Sequence, residues 1–435
     1  MGSGPREHAI AWKLCQSKTV EHVYVVPGNA GTAMLGKATN ITNVTVSDFA
    51  RVVLLAKELG IGLVVPGAVQ YFVDDIEGYF RGTGIACFAC TKEVAQLEVS
   101  KPFAKDFMIR HDIPTARYQS FTAAGVEAAK DYILQVPYPV VVKAAGLAGG
   151  RGSIIPSSKE EALQAVDDIL VHQKFGREAG SSLVVEEYLE GTEVSILTLS
   201  DCNGHTWTFP TLQDHKRMYD GDIGPNTGGL GAYGPTPFVT PTLMKEIEKS
   251  IVQPALEGLL FEGLKFVGCL YTGLMLTSSG PRVLEFNVRF GEPEMQSMVL
   301  LLDDETDFAE VLLACINGTL DQVHIDTVPG FACNVVMTGE GYPDPDLDHG
   351  GEVIEMRDTG SDAVFFHGQT RMEDGKLTTG GGKPLTCAVI RDTLREALDA
   401  AYEGVASVSF RGMHYRKDIA ARLPNFSDYR ALIHS

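Results

Sequence analysis

The segment at residues 139–152 combines a short apolar strand, a lysine and a glycine-rich loop. Lys143 ends the strand, and Arg151 lies in the loop. The glycines of this loop are Gly146, Gly149, Gly150 and Gly152. A flexible backbone with free N–H groups and two fixed cations is what binding of a polyphosphate requires. The P-loop pattern G-x-x-x-x-G-K-[ST] is absent, and an ordinary surface turn is the alternative interpretation.

A second segment, residues 184–193, is a strand that ends in carboxylates and continues into an acidic turn. Its carboxylates are Glu186, Glu187, Glu190 and Glu193. Such groups could accept hydrogen bonds from the amino group of adenine and from the hydroxyls of a ribose. A solvated acidic turn has the same composition, so nucleotide recognition is a hypothesis at this point.

The third segment, residues 283–294, predicts a strand with polar residues on one face. Glu285, Asn287 and Arg289 alternate with apolar residues, and alternate residues of a strand share a face. A carboxylate beside an amide oxygen suits Mg²⁺, and a guanidinium can hold a carboxylate or an acyl phosphate through two hydrogen bonds. Any half-exposed strand shows the same alternation. The three segments together could nevertheless form one nucleotide–metal site.

The composition excludes several classes of protein. The chain has 435 residues and a formal charge of −20, which argues against a protein that coats nucleic acid or an anionic membrane. Its eight cysteines are scattered, and Cys87-x-x-Cys90 has no second pair to complete a zinc site. No apolar run reaches the roughly 18–20 residues that a membrane helix needs. We therefore expect a cytoplasmic protein with buried thiols that acts on small molecules.

Three stretches with different patterns position these segments. Residues 1–99 predict an α/β domain with a doubly wound parallel sheet, although the strand that normally precedes the first glycine-rich turn is missing. Residues 100–329 predict a larger core that carries a small α+β lid at about residues 116–192. Residues 330–435 predict a small α+β domain. The expected fold class is a multidomain α/β and α+β protein.

The order of the motifs resembles the ATP-grasp ligases. Lys101 lies in SKPFAKDFM, and it is followed by Lys143 with its glycine loop, by EEYLEGTE and by EFNVRFGEPE. Within that fold, QDHKRMYDGDIGPNTGGLGAY at residues 213–233 resembles the defining loop of the phosphoribosylamine–glycine ligases, also called glycinamide ribonucleotide synthetases. REHAIAWKL, PGNAGTA, GCLYTGLM and YRKDIA also match that family, and the likeness is strongest to its fungal form.

This resemblance implies an ATP- and Mg²⁺-dependent ligase (with Mn²⁺ as a possible substitute) that joins glycine to 5-phosphoribosylamine through an acyl phosphate. The implied nucleotide-binding residues are Lys101, Lys143, Gly149, Gly150, Arg151, Gly152, Glu186, Glu187, Leu189 and Glu193. The metal ligands would be Glu285 and Asn287, and glycine would be oriented by Arg289, Asp222 and Asn226. The partners would be small molecules only, and the protein would be a monomer or a homodimer.

Departures from the family pattern are concentrated in the N-terminal domain, on the side of the amine acceptor. Proline at position 5 removes a backbone N–H from the first turn, Val69 replaces an acidic residue, and Ala89-Cys90 replaces Gly-Pro. Three hypotheses stay open: the purine-pathway ligase with a relaxed acceptor site, a paralogue that couples glycine or another amino acid to a different amine, and a non-catalytic nucleotide-binding protein.

Overall fold

The computed structural model describes residues 1–148, 151–344, 346–347, 350–358, 360, 362–421 and 423. Gly149 and Gly150, two of the predicted phosphate-loop residues, lie outside the described residues. Within the described ranges, the search for a helix both long enough and apolar enough to span a membrane gives none.

The N-terminal region has two pairs of parallel strands surrounded by helices. The strands pair as Val23–Val25 with Ala38–Asn40, and as Leu63–Val64 with Ala86–Cys87. The helices are Pro5–Gln16, Ala30–Ala33, Phe49–Glu58, Val69–Val73, Ile76–Phe80 and Lys92–Val99. Parallel pairs joined through helices form the doubly wound arrangement that the sequence predicts.

Residues 1 and 2 occupy the place between these two strand pairs, where the sequence analysis finds a strand missing. The nitrogen of Met1 donates to the carbonyl of Val65 at 2.8 Å, and Gly2 forms a parallel bridge with Pro27. The first helix follows at once, with Pro5 in its first turn and the Glu7 carboxylate accepting the N–H of Gly4 at 2.8 Å. Two residues therefore link both strand pairs and lead into the helix.

The central region contains two antiparallel sheets. The lid sheet has the spatial order Tyr118–Thr122, Ser182–Glu187, Val140–Ala144 and Ser153–Ile154. The core sheet has the order Thr206–Thr208, Thr192–Ser200, Gly268–Thr277 and Gly280–Asn287. The helices of this region are Lys101–Arg110, Val126–Gln135, Lys159–Val166, Pro241–Ile247, Gln253–Phe261, Glu294–Leu301 and Phe308–Asn317. Single helical turns lie at Ala123–Gly125, Asp167–Val171, Ala179–Ser181, Glu248–Val252 and Leu320–Gln322.

The third sheet joins the glycine-rich segment at residues 213–233 to the C-terminal region. Its antiparallel order is Gln213–Asp214, Gly231–Gly234, Phe331–Met337, Leu385–Arg391 and Val364–His367. The helix Leu394–Ala406 packs on this sheet and begins with a capping box formed by Thr393 and Glu396. Short strand pairs lie at Arg217–Tyr219 with Ile223–Asn226, Glu355–Met356 with Val408–Ser409, and Arg371–Glu373 with Lys376–Thr378. The C-terminal sheet thus positions the loop that is predicted to orient glycine.

Candidate active site

A buried carboxylate between two lysines marks one end of the site. Glu186 pairs through Oε2 with the Nζ atoms of Lys105 and Lys143, each at 3.0 Å. The strands pair Val141 with Glu186, which sets Lys143 close to this carboxylate. Burial opposes the charged form of Glu186, but the two ammonium groups outweigh it and lower the pKa of Glu186. Burial also lowers the pKa of Lys105 to about 8.

The two oxygens of the Glu186 carboxylate differ in their contacts. Oε1 is buried and has no hydrogen-bond partner among the described residues. A buried oxygen in this state costs free energy until a donor reaches it, and the exocyclic amino group of adenine is such a donor. Glu186 therefore has one oxygen paired with the lysines and one without a partner among the described residues, and its contact with adenine stays a prediction.

A second carboxylate, that of Glu285, has ammonium groups from separate segments of the chain around it. Lys101 Nζ lies 2.9 Å from Glu285 Oε2, and Lys216 Nζ lies 3.6 Å from Oε1. Lys101, together with the charges of Lys216 and Lys143, holds the pKa of Glu285 well below its usual range. Lys216 also pairs with Glu193. Three cations around one carboxylate fit a polyphosphate with its metal ion.

Glu285 and Asn287 offer oxygen ligands that suit an Mg²⁺ ion which is also bound by phosphate oxygens. Glu285 and Asn287 supply carboxylate and amide oxygens, which are hard ligands. The described residues contain no group of three or more His, Cys, Asp or Glu side chains that could hold a metal ion. A metal ion at this site would therefore complete its coordination with substrate phosphates and water, which is how Mg²⁺ commonly binds.

Arg289 lies next to Asn287, one of the two predicted metal ligands. Its guanidinium pairs with Glu98 at 3.0 Å and donates to Asn287 Oδ1 at 3.2 Å and to the carbonyl of Phe290 at 3.1 Å. Glu98 in turn accepts the N–H of Val288 at 2.8 Å. The sequence-predicted triad Glu285, Asn287 and Arg289 is therefore adjacent in space, with Arg289 fixed by a buried carboxylate.

The two remaining residues predicted to orient glycine lie on the hairpin Arg217–Tyr219 and Ile223–Asn226. Asn226 donates to the carbonyl of Ser153 in the lid at 3.3 Å. Asp222 pairs with Arg416 of the C-terminal region at 2.6 Å. Their described contacts are thus with the lid and with the C-terminal region, and a role in binding glycine stays a prediction for both.

Four other predicted nucleotide-binding residues lie at or just beyond the ends of lid strands. Glu187 pairs with Arg117 at 2.7 Å, and this ion pair lowers the pKa of Glu187. Leu189 is half-buried in the turn that follows. Gly152 accepts the N–H of Ala144 at 2.8 Å, and Arg151 donates its N–H to Ala148 at 3.0 Å. Glu187 ends the strand Ser182–Glu187, Gly152 directly precedes the strand Ser153–Ile154, and a contact of either residue with a nucleotide stays a prediction.

Besides Glu98, four charged residues near the site are absent from the sequence-based list. They are Lys105, Asp214, Lys216 and Lys383. Lys105 is four residues from Lys101 on the same helix, which is a usable signal because such residues share a helix face. Lys383 comes from the C-terminal region, pairs with Glu292 and donates to the carbonyl of Gly228 at 2.6 Å. Nothing in the local sequence around Lys383 indicates this contact.

Residues 1–98, 99–295 and 332–422 match the models of the N domain, the ATP-grasp (A) domain and the C domain of phosphoribosylglycinamide synthetase. The chain belongs to the phosphoribosylglycinamide synthetase family. The family resemblance and the fold class predicted from the sequence are thereby confirmed, including the ATP-grasp core.

Members of this family with known names or structures align over almost the whole chain. It is 46% identical to the bifunctional purine biosynthetic protein ADE1 of Schizosaccharomyces pombe, with 97% of this chain and 53% of that protein covered. It is 44% identical to the human trifunctional purine biosynthetic protein adenosine-3, with 97% of this chain and 41% of that protein covered. The chain thus spans about half the length of the curated relatives it matches. The phosphoribosylamine–glycine ligase of Thermotoga maritima superposes with a TM-score of 0.80 at 34% identity, with 96% of this chain and 98% of that chain covered.

Proposed function

We propose that this chain is an ATP-dependent ligase that activates the carboxylate of glycine and joins it to 5-phosphoribosylamine. The products would be glycinamide ribonucleotide, ADP and phosphate. The observation that carries the proposal is the set of ammonium groups around Glu285. Lys101 and Lys216 contact its carboxylate at 2.9 and 3.6 Å, and the charge of Lys143 also lowers its pKa. These residues come from separate parts of the chain, and only the complete fold brings them together.

The reaction would proceed in two balanced steps. A carboxylate oxygen of glycine forms a bond to the γ-phosphorus of ATP, and the bond to the β–γ bridging oxygen breaks to release ADP. The amine of phosphoribosylamine then bonds to the acyl carbon, the bond to the phosphate oxygen breaks, and the amine loses a proton. The protein contributes position and charge neutralisation and forms no covalent bond itself.

Each group at the site would have a defined task. Lys101 and Lys143 would neutralise phosphate charge, and Glu186 would accept the amino group of adenine through its unpartnered oxygen. Glu285 and Asn287 would hold Mg²⁺, with Mn²⁺ as a possible substitute. The metal ion would supply charge for the transferred phosphoryl group. Arg289, held by Glu98, would contact the carboxylate of glycine or its acyl phosphate.

One observation favours a second candidate, a paralogue that uses a different amine. The helix Pro5–Gln16 begins in the acceptor region, and free N–H groups at such a helix start would bind a phosphate. Position 5 has no N–H, and the N–H of Gly4 is already accepted by Glu7 Oε2 at 2.8 Å. The first turn thus offers a phosphate fewer donors, while the Lys143 and Glu285 side of the site retains its charged residues.

The test measures ADP release by the purified protein with ATP, Mg²⁺ and glycine, with and without freshly generated 5-phosphoribosylamine. We expect ADP and glycinamide ribonucleotide to form together only when phosphoribosylamine is present. ADP release with glycine alone, or a glycyl hydroxamate trapped by hydroxylamine while phosphoribosylamine adds nothing, would favour the paralogue. Absence of ADP under every condition would contradict activation of glycine by this chain.

Two arginine variants, seven residues apart in the chain, test whether ADP release depends on the candidate active site. Arg289→Ala removes the guanidinium beside Asn287 and should abolish ADP release. Arg282 instead donates to the carbonyl of Thr115 at 3.3 Å and has a half-exposed side chain. Arg282→Ala should therefore keep activity within about threefold of the starting protein, since surface substitutions seldom change stability by more than about 0.5 kcal/mol.

A further inference from the structure

A groove lies along the edge of the core sheet that is farthest from Glu285. The strand Thr206–Thr208 forms this edge, and the strand Gly280–Asn287, which carries Glu285, forms the other. Two strands separate them, so the edges are about 14 Å apart across the sheet. The groove has a volume of about 680 Å³, and its lining contains none of the residues that the candidate active site brings together. It is therefore a separate feature of the surface.

The strand Thr206–Thr208 leaves backbone groups unpaired on its outer side. Of the residues that flank it, His205 accepts an N–H from the neighbouring segment at 3.1 Å, and Phe209 donates its own N–H to that segment at 2.9 Å. Thr206 and Thr208 alternate with these residues, so their N–H and C=O groups point away from the neighbouring segment. Both residues line the groove, and within the described residues these groups have no other hydrogen-bond partner. An unpaired edge of this kind is a template for another strand.

The helical segment at residues 248–261 provides a second side of the groove. Val252 and Leu256 line the groove from this segment, and Phe266 lines it from the chain that follows. Leu260 also lines the groove, and it is 55% exposed. A chain bound at the strand edge would cover these apolar side chains, and removal of apolar surface from water favours binding.

The exposed charges of the groove favour a basic partner. Glu248, Glu257 and Lys265 line it, and none of the three forms an ion pair within the described part of the chain. Two carboxylates against one ammonium group attract positive charge. Nine residues separate Glu248 from Glu257, which is about 13.5 Å along a helix. Four residues of an extended chain cover about 13 Å. Two basic side chains four residues apart on such a chain would therefore match both carboxylates.

We propose that this groove binds an extended, basic segment of a partner protein, which adds to the core sheet as a fifth strand beside Thr206–Thr208. Backbone hydrogen bonds to Thr206 and Thr208 give the affinity, and basic side chains at positions i and i+4 meet Glu248 and Glu257. A second copy of this chain is a poorer match, because its formal charge is −20 and the groove is already acidic. Binding here leaves the candidate active site open, since that site lies at the opposite edge of the sheet.

The test uses a fluorescent synthetic peptide, Thr-Lys-Thr-Val-Thr-Lys-Thr, in which the two lysines and the valine share one face of an extended chain. Fluorescence anisotropy with the full chain should give a Kd below about 1 mM, the weak range expected of an interface well under the standard size. A second peptide with glutamate in place of both lysines should bind at least about tenfold more weakly, because it meets the same carboxylates with like charge.

A proline at the strand edge tests the backbone contact. Thr206→Pro removes an N–H that points away from the sheet, so the hydrogen bonds within the sheet are kept, and proline is tolerated at such edge positions. The variant should bind the lysine peptide at least about tenfold more weakly, since a donor is lost and the ring blocks the edge. Thr206→Val is the matched control. It keeps the N–H and the branched side chain, and its Kd should stay within about twofold of the starting value.

Glutamine variants test the charge contact without touching the sheet. Replacement of both Glu248 and Glu257 by Gln should weaken binding of the lysine peptide by about three- to tenfold, as expected for the loss of two exposed ion pairs. Glu246→Gln is the control, because Glu246 is an exposed carboxylate of the adjacent helix Pro241–Ile247 and does not line the groove. It should change the Kd by less than about twofold.

The inference is wrong if the lysine peptide fails to bind below about 1 mM, or if the glutamate peptide binds as tightly. It is also wrong if a folded Thr206→Pro, checked by thermal unfolding, keeps the starting Kd, or if the double glutamine variant does so. Analytical ultracentrifugation of the starting protein and of Thr206→Pro tests the other occupant. A dimer that dissociates in Thr206→Pro would assign the groove to a second copy of this chain and overturn the proposal.

Discussion

Arg416 Nη1 lies 2.6 Å from Asp222 Oδ1, and this pair joins the C-terminal region to the hairpin of residues 217–226. Arg416 is 1% exposed and also contacts Asp418 Oδ1 at 2.5 Å and the carbonyl of Arg217 at 3.0 Å. The same hairpin carries Asn226, which donates to the lid at Ser153. The C-terminal region therefore sets the position of a hairpin that reaches the lid.

Removing Arg416 should destabilise the protein strongly. Arg416→Ala leaves Asp222 and Asp418 without their shared cation, and breaking a buried ion pair in this way costs about 3–5 kcal/mol. Urea denaturation measures the free energy of unfolding. Arg411→Ala is the control, because Arg411 pairs with Glu352 on the surface with its side chain 77% exposed. The control should change the free energy of unfolding by less than about 1 kcal/mol, and equal losses in the two variants would contradict this account.

The sequence predicts the phosphate, adenine and metal segments because each is contiguous in the chain. Lys143, Glu186 and Glu285 lie on strands whose alternation is visible in the sequence, and the structure brings them together. Asp222 is different, because its contact with Arg416 spans almost 200 residues and depends on how the third sheet folds. Local patterns do not encode such a pairing.

The N-terminal region also contains a contact that local sequence patterns do not encode. A strand is missing from the sequence-based prediction here, since two residues are too few to produce a strand pattern. Hydrogen bonds from Met1 to Val65 and from Gly2 to Val26 nevertheless connect the two strand pairs. Backbone pairing of this kind does not depend on side-chain type, so composition and periodicity contain no signal for it.

Lys143→Met should lower kcat/KM for ATP by about 10²–10³-fold. The ammonium group donates to Glu186 at 3.0 Å and to the carbonyl of Leu284 at 3.2 Å, so in the proposed function it would lie between the adenine and the phosphates of ATP. The factor is the one expected for loss of one preorganised charged donor. Steady-state kinetics with varied ATP measure it. Lys130→Met removes a lysine that pairs with Asp167 away from the site, and it should leave kcat/KM within about twofold.

His8 should make the protein less stable in acid. Burial lowers the pKa of His8 to about 3, with a smaller contribution from His367, while the unfolded chain takes up a proton near the ordinary value of 6.5. Below pH 6.5 the unfolded state therefore binds more protons, and stability falls as pH falls towards 3. Relative to His8→Asn, the starting protein should lose about 1.4 kcal/mol of unfolding free energy per pH unit between pH 6 and 4. Parallel pH profiles for the two proteins would show that His8 is not responsible.

Gln296 should be replaceable by an apolar residue with a gain in stability. It is fully buried in the helix Glu294–Leu301, and both atoms of its amide lack a hydrogen-bond partner among the described residues. Gln296→Leu removes these atoms and should raise the free energy of unfolding by about 1–2 kcal/mol. Gln164→Leu, on the exposed face of the helix Lys159–Val166, should change it by less than about 0.5 kcal/mol. A fall in stability for Gln296→Leu would mean that the amide is hydrogen-bonded in solution.

Isotope transfer tests the central claim most directly. The protein is incubated with ATP, Mg²⁺, 5-phosphoribosylamine and glycine labelled with ¹⁸O in its carboxyl group, and the released phosphate is analysed by mass spectrometry. If the cluster of Lys101, Lys143 and Glu285 activates glycine as an acyl phosphate, the phosphate carries an ¹⁸O atom from glycine. Phosphate that is released at the same rate without ¹⁸O would contradict the account, because the phosphoryl group would then have gone to water and not to glycine.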